Sequence, residues 1–99
     1  MKYDKLFETA KIGSLTLKNR FIMGAMGVGF AEMNGNPTDR TVAYYEERAK
    51  GGYALIITEV TRVQDTEFCT PLEPSLGSDK FIPGWKKVTD AVHAQGAYI

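Results

Sequence analysis

The 99-residue sequence has little cysteine or histidine, no net charge and no long apolar run. Its one cysteine, Cys69, cannot form an internal disulfide, and its one histidine, His93, leaves no cluster at zinc-ligand spacing. Twelve Lys and Arg balance twelve Asp and Glu, so no overall field favours nucleic acid or an anionic membrane. The apolar runs are far shorter than the roughly 20 residues that span a bilayer, and the polar start is unlike a signal peptide. We expect a cytoplasmic protein with a small-molecule partner, no nucleic-acid or membrane partner, and no metal site.

The composition is that of a globular protein, with 43% hydrophobic and 11% aromatic residues. Residues 12–17 form two short extended pieces around Gly13 and Ser14, which predicts a tight hairpin. Residues 21–23 and 54–57 are apolar runs without alternation, typical of strands buried on both faces. Residues 97–99 begin a third such strand.

Two amphipathic helices are predicted between these strands. The first is capped by Thr38 or Asp39 and ends at Lys50, before two glycines. The second starts near Ser78 or Asp79 and ends before Gly96. Their expected buried stripes are Val42, Tyr45 and Ala49 on the first helix, and Ile82, Trp85, Val88 and Val92 on the second. The long segment before the second helix, residues 61–80, has no period and is predicted to be a loop excursion.

This order of strands and helices predicts βαβ units with parallel strands. A parallel sheet is normally covered on both faces or closed into a barrel. Two helices cannot do either for three strands, so we expect the chain to be part of a larger α/β protein. The alternative is a small freestanding α/β binding module.

A glycine-rich segment, residues 24–29, directly follows the first buried strand. Its glycines would let the backbone approach a flat ring or a phosphate closely. The order Gly-x-x-Gly-x-Gly differs from the dinucleotide fingerprint Gly-x-Gly-x-x-Gly, and the helix starts about ten residues later. A ring is therefore a better candidate than a phosphate.

Four blocks of sequence carry a family resemblance. They are Leu6-Phe7; Leu17-Lys18-Asn19-Arg20-Phe21-Ile22-Met23-Gly24-Ala25-Met26; Tyr45-x-x-Arg48-Ala49-x-x-Gly52; and Ile56-Ile57-Thr58-Glu59-Val60. At this joint spacing the chain resembles the N-terminal segment of the Old Yellow Enzyme family of NADH:flavin oxidoreductases. Within that family it is more similar to the dienoyl-CoA reductase, enoate reductase and bile-acid-inducible reductase branch than to the yeast founding member.

The resemblance implies the N-terminal part of a (β/α)8 TIM barrel that holds FMN. It also implies hydride transfer from NADH or NADPH to the C=C bond of an enone or enoyl thioester, and it leaves room for an iron–sulfur cluster and FAD in downstream regions. By resemblance, Gly24, Ala25, Met26 and Gly27 would lie along the flavin ring and Val60 would flank it. The family's catalytic acid and phosphate-binding residues would lie beyond residue 99, so no catalytic residue is assigned within this chain. Two alternatives to a flavin-dependent barrel enzyme stay open: part of a flavin-free barrel enzyme such as an aldolase, and the small freestanding α/β module.

Other polar residues are expected to be structural. Glu59 ends a strand, and a carboxylate there is expected to order neighbouring loops. Asn19 and Arg20 precede the first buried strand and are expected to tie down the hairpin through backbone hydrogen bonds. His93 is expected on a solvated helix face. Cys69 has no basic neighbour in sequence to lower its pKa, so a reactive thiol is not expected.

Overall fold

The computed structural model describes residues 2–64 and 71–99, and the predictions for Cys69 lie outside them. The elements follow the chain in the order α1 (Asp4–Phe7), β1 (Ala10–Ile12), β2 (Leu15–Leu17), β3 (Ile22–Met23), α2 (Asp39–Lys50), β4 (Leu55–Ile56), a 3-10 turn (Asp79–Phe81) and α3 (Ile82–Ala94). Among the elements of the described residues, the short helix α1 was the one not predicted from the sequence.

The predicted hairpin is confirmed. Strands β1 and β2 pair antiparallel, with Ala10 opposite Leu17 and Ile12 opposite Leu15. Gly13 has a φ of 56° in the connection, a backbone conformation that glycine adopts without steric cost.

The parallel sheet is also confirmed. Strands β3 and β4 pair in parallel, with Ile22 opposite Leu55 and Met23 opposite Ile56. Tyr98 forms a parallel bridge with Leu55 on the other side of β4, so the predicted third strand begins where the sequence placed it. Parallel neighbours joined through helices are the βαβ arrangement.

Helix α2 starts and ends as its sequence predicts. The Thr38 hydroxyl oxygen accepts a hydrogen bond from the Thr41 N–H at 3.2 Å, and the Thr38 N–H donates to the Thr41 hydroxyl oxygen at 3.1 Å. This reciprocal capping box satisfies two N–H groups at the helix start. The helix ends at Lys50, with Gly51 as its C-cap. Its buried residues are Thr41, Tyr45 and Ala49, and Val42 of the predicted stripe is partly buried against the core.

Helix α3 ends before Gly96 as predicted, but residues Asp79–Phe81 at its predicted start form a 3-10 turn and the α-helix begins at Ile82. Its buried stripe also differs slightly from the prediction. Ile82 is 54% exposed, so its predicted core position was wrong, and Phe81 is buried instead. The reason is geometric: Phe81, Trp85, Val88 and Val92 are spaced i, i+4, i+7 and i+11, which follows the 3.6-residue period more closely. The predicted stripe therefore began one residue too late, at Ile82 instead of Phe81.

The hydrophobic core fills the space between the sheet and the two long helices. Its buried members are Met23, Tyr45, Ala49, Ile56, Phe81, Trp85, Val88, Val92 and Ala97. The other side of the sheet is uncovered, since Phe21, Ile22 and Ile57 are exposed. Burial of these strands on both faces was predicted and is not observed in this chain. Within the described residues, no helix combines the length and apolar character needed to cross a bilayer.

Candidate functional site

The candidate site lies where the chain leaves the carboxyl ends of the two parallel strands. The Ile57 N–H donates a hydrogen bond to the Met23 carbonyl oxygen at 3.0 Å, so the segments after β3 and β4 start side by side. Gly24, Ala25, Met26 and Gly27 follow Met23 directly. Catalytic and binding residues of parallel barrels come from this end of the strands.

The surface of this region is open and largely apolar. Met26 is 54% exposed and Val60 is 46% exposed. A Cβ added at Gly24 or Gly27 would meet no atom within 4 Å, so solvent-facing space lies over both glycines. An accessible backbone next to exposed apolar side chains fits the face of a flat aromatic ring. The residues that the resemblance assigns to the flavin are therefore compatible with it.

The Glu59 side chain links the segments that follow β3 and β4 through a hydrogen bond. Its Oε2 atom accepts a hydrogen bond from the Val28 N–H at 2.7 Å, although 31 residues separate the two in sequence. This contact brings the glycine-rich loop, defined here as residues 24–29, against the segment that carries Val60. The sequence prediction that Glu59 orders neighbouring loops is confirmed.

The pKa of the Glu59 carboxyl is set by burial and by its neighbours. The residue is 3% exposed. Burial raises the pKa of Glu59 above its usual value, the amides of Val28 and Gly29 partly offset this, and the nearby Glu73 carboxylate raises it further.

Tyr45 fixes the backbone of Glu59 from the helix side. The Glu59 N–H donates to the Tyr45 hydroxyl oxygen at 2.8 Å within the core. Burial raises the pKa of Tyr45 to about 12. Helix α2, the end of β4 and the glycine-rich loop are therefore connected through two consecutive hydrogen bonds.

A second contact between loops, involving Arg62, Glu73 and Ser75, was not predicted from the sequence. Arg62 forms a parallel bridge with Ser75, and its Nε lies 3.7 Å from the Glu73 carboxylate, with both side chains buried. The Ser75 N–H donates to the Gly35 carbonyl oxygen at 2.8 Å, and the Trp85 indole N–H donates to the Ser75 carbonyl oxygen at 2.8 Å. The described parts of the long excursion are thus folded against the loop after β3. The sequence has no local pattern that predicts an ion pair between two residues 11 positions apart.

Two concave surfaces lie at the opposite end of the strands. A cavity of about 440 Å³ is lined by Phe7, Asn19, Phe21, Gly51, Gly52 and Tyr53. Another of about 380 Å³ is lined by Thr16, Lys18, Ala54, His93, Gly96, Ala97 and Tyr98. Most of these residues precede or begin strands, while Thr16 lies within β2 and His93 within α3. Neither cavity includes a residue of the candidate site.

The residues before β3 have roles that differ in part from the prediction. The Asn19 side chain donates to the Gly52 carbonyl oxygen at 2.7 Å and accepts from the Phe21 N–H at 2.9 Å. The Arg20 N–H donates to the Leu6 carbonyl oxygen at 3.0 Å. These bonds fasten β3 to the turn after α2 and to α1, so the expected attachment to the hairpin was wrong. His93 is exposed on its helix, as predicted.

Comparison with known proteins identifies the family. Residues 5–99 match the NADH:flavin oxidoreductase / NADH oxidase family. The chain belongs to this family, and the family prediction from the four sequence blocks is confirmed. Cinnamate reductase from Clostridium sporogenes is 38% identical over 103 residues, which cover 99% of this chain and 16% of that protein.

Solved structures show the corresponding fold. The old yellow enzyme from Trypanosoma cruzi superposes with a TM-score of 0.87 at 35% identity, over 98% of this chain and 26% of that one. A 2-naphthoyl-CoA reductase in complex with 2-naphthoyl-CoA superposes with a TM-score of 0.91 at 33% identity, over 96% of this chain and 14% of that one. The chain thus spans between about a seventh and a quarter of these relatives. Its fold corresponds to the N-terminal portion of their (β/α)8 barrel, as predicted.

Proposed function

We propose that the protein containing this chain is an FMN-dependent NAD(P)H oxidoreductase that reduces the C=C bond of an enone or enoyl thioester. The observation that carries the proposal is the open surface of the glycine-rich loop beside Val60, at the carboxyl ends of two parallel strands. The names of two relatives, a cinnamate reductase and a 2-naphthoyl-CoA reductase, favour small unsaturated carbonyl or thioester substrates. Residues 1–99 would form the N-terminal part of the FMN-binding barrel domain, in a cytoplasmic enzyme.

Five residues would contribute to the flavin site. The backbone of Gly24 and Gly27 would let the ring approach closely, because no side chain stands over it. Ala25, Met26 and Val60 would provide apolar contacts that exclude water from one side of the ring. Bound FMN would supply hydride transfer between a reduced nicotinamide and the conjugated alkene. This chain would form one side of the binding surface for the ring and exclude water from it.

The domain organisation after the barrel is a further part of the proposal. A (β/α)8 barrel needs roughly 250 residues. The 103 aligned residues are 16% of the cinnamate reductase, so that relative has room for further domains. We propose an iron–sulfur cluster and FAD in downstream domains for a long form of this protein. Iron and FAD content of the purified protein would decide between a long and a single-barrel form.

The central test is flavin binding and turnover by the full-length protein that contains this chain. We expect a yellow protein whose thermal stability increases with added FMN. Its flavin absorbance should bleach anaerobically with NADH or NADPH and return on addition of 2-cyclohexen-1-one or cinnamoyl-CoA. A full-length protein without flavin absorbance and without an FMN-dependent thermal shift would contradict the proposal and favour a flavin-free barrel enzyme of the aldolase type.

A further inference from the structure

Glu59 forms hydrogen bonds to helix α2 and to the glycine-rich loop from the centre of the candidate site. Its backbone N–H donates to the Tyr45 hydroxyl oxygen at 2.8 Å, and its Oε2 accepts from the Val28 N–H at 2.7 Å. The residue is almost fully buried, so both bonds are shielded from competition with water. The carboxylate therefore has a fixed position relative to helix α2 on one side and the glycine-rich loop on the other.

The loop backbone is shaped to meet this carboxylate. Gly29 has a φ of 68°, and its amide, together with that of Val28, stabilises the ionised form of Glu59. Successive N–H groups around a residue of positive φ converge on a single anionic group. A Cβ at Gly29 would meet no atom within 4 Å, so glycine is needed here for its backbone conformation and not for space.

The far end of the loop is anchored separately. The Thr38 hydroxyl donates to the Phe30 carbonyl oxygen at 2.6 Å, which attaches the residue after the loop to the start of α2. At the near end, Met23 is held in the parallel sheet. Between these two attachments, the exposed residues Gly24 to Gly27 depend on the Glu59 contact at Val28 for their position.

We propose that Glu59 is a positioning residue for the flavin: its carboxylate holds the glycine-rich loop in the shape that receives the ring, and Tyr45 fixes Glu59 in turn. This inference rests on the proposed FMN-dependent function. Glu59 itself is covered by the loop and would act through the loop's backbone. This role requires an oxygen atom that accepts the Val28 N–H and lies as far from the backbone as the end of a glutamate side chain.

The test compares three substitutions at position 59 in the full-length flavoprotein. Glu59→Gln keeps an acceptor oxygen at the same reach, Glu59→Asp keeps the charge but shortens the side chain, and Glu59→Leu removes the acceptor. We expect FMN affinity within about threefold of wild type for Glu59→Gln, and a loss of tenfold or more for Glu59→Asp and Glu59→Leu. Glu47→Gln, on the exposed side of α2, is the control and should not change FMN affinity.

Two readouts separate positioning from a general loss of stability. Amide hydrogen exchange by mass spectrometry should become faster in a peptide covering residues 24–29 of the Asp variant, while peptides from α3 keep their protection. The visible absorption band of the remaining bound flavin should shift in the same variant and recover in Glu59→Gln. If the Leu variant does not fold, the Asp and Gln pair decides the question.

The outcomes are distinct from those of the proposed function. A wild-type protein that binds no FMN refutes the proposed function. A wild-type protein that binds FMN, with an Asp variant of equal FMN affinity and unchanged loop exchange, refutes the positioning role alone. A Gln variant as weak as the Leu variant also overturns the inference, because it would show that charge and not loop geometry matters.

Discussion

The N–H of Glu59 donates a hydrogen bond to the hydroxyl oxygen of Tyr45, 14 residues earlier in the chain, at 2.8 Å. This bond joins the middle of α2 to the residue that anchors the glycine-rich loop. Tyr45 is fully buried, and burial raises its pKa to about 12. The hydroxyl is therefore neutral at physiological pH and serves as an acceptor for the backbone of the site.

Tyr45→Phe should destabilise the full-length protein. The change leaves the Glu59 N–H buried without its acceptor, which costs roughly 1–3 kcal/mol. Urea unfolding measures the loss. The neighbouring Tyr44→Phe is the matched control, because the Tyr44 ring packs edge-on against Phe30 and Tyr45 through carbon atoms that the substitution keeps. Equal stability of the two variants would contradict the assigned role of the Tyr45 hydroxyl.

Met26→Asp should expel FMN from the full-length protein while leaving the fold intact. Met26 is more than half exposed in this chain, so a carboxylate there costs the chain little, but it would place a charge against an apolar ring contact. We expect FMN affinity to fall at least tenfold in a fluorescence titration. His93→Ala, at the other end of the strands, should leave affinity unchanged. Unchanged affinity of Met26→Asp would remove Met26 from the site.

Gly35→Ala should be more destabilising than its backbone conformation alone explains. Gly35 has a φ of 99°, and an added Cβ would collide with the Arg62 guanidinium and with the Ser75 Cβ at 2.7 Å. Gly52→Ala is the matched control, since Gly52 has a φ of 113° but no atom within 4 Å of an added Cβ. We expect the Gly35 variant to lose roughly 1–3 kcal/mol more than the Gly52 variant in thermal unfolding. Similar losses would show that the loop contact is loose enough to adapt.

The stability of wild type relative to Glu59→Gln should depend on pH. Burial raises the folded-state pKa of Glu59 above the ordinary value of 4.5, with the Val28 and Gly29 amides opposing and Glu73 reinforcing the shift. A raised pKa means that the folded state binds a proton at Glu59 more tightly than the unfolded state does. The stability gained from this proton is therefore complete below pH 4.5 and is lost as the pH rises through the folded-state pKa. The melting temperature of wild type minus that of Glu59→Gln should therefore fall with increasing pH from about 4 to about 7. A difference that grows over this range would contradict the raised pKa.

Residues 1–99 expressed alone should not form a native monomer. Ile22 and Ile57 are exposed on the uncovered face of the sheet, and Phe21 is exposed beside them. Exposed apolar strand surface with an open edge favours association. Light scattering should show oligomers or aggregates. A monomer with dispersed amide resonances and a cooperative melt would instead support a freestanding α/β module.

The sequence by itself determined the hairpin, the parallel strands and the two long helices, together with their order. Helix α2 follows from a capping residue at Thr38 or Asp39 and from the stripe of Val42, Tyr45 and Ala49, whose members are three or four residues apart. The parallel strands follow from two apolar runs separated by a helix. These signals are local, because hydrogen-bonding periods and caps involve near neighbours in sequence. The four spaced blocks also identified the family.

Only the tertiary structure decided how distant residues meet. The Val28 contact with Glu59 and the Arg62 pair with Glu73 join positions on separate loops, and nothing in the local sequence specifies such a partner. The strands, although apolar enough for burial on both faces, are covered on one face in this chain, because burial depends on which other elements are packed against a strand and not on its own sequence.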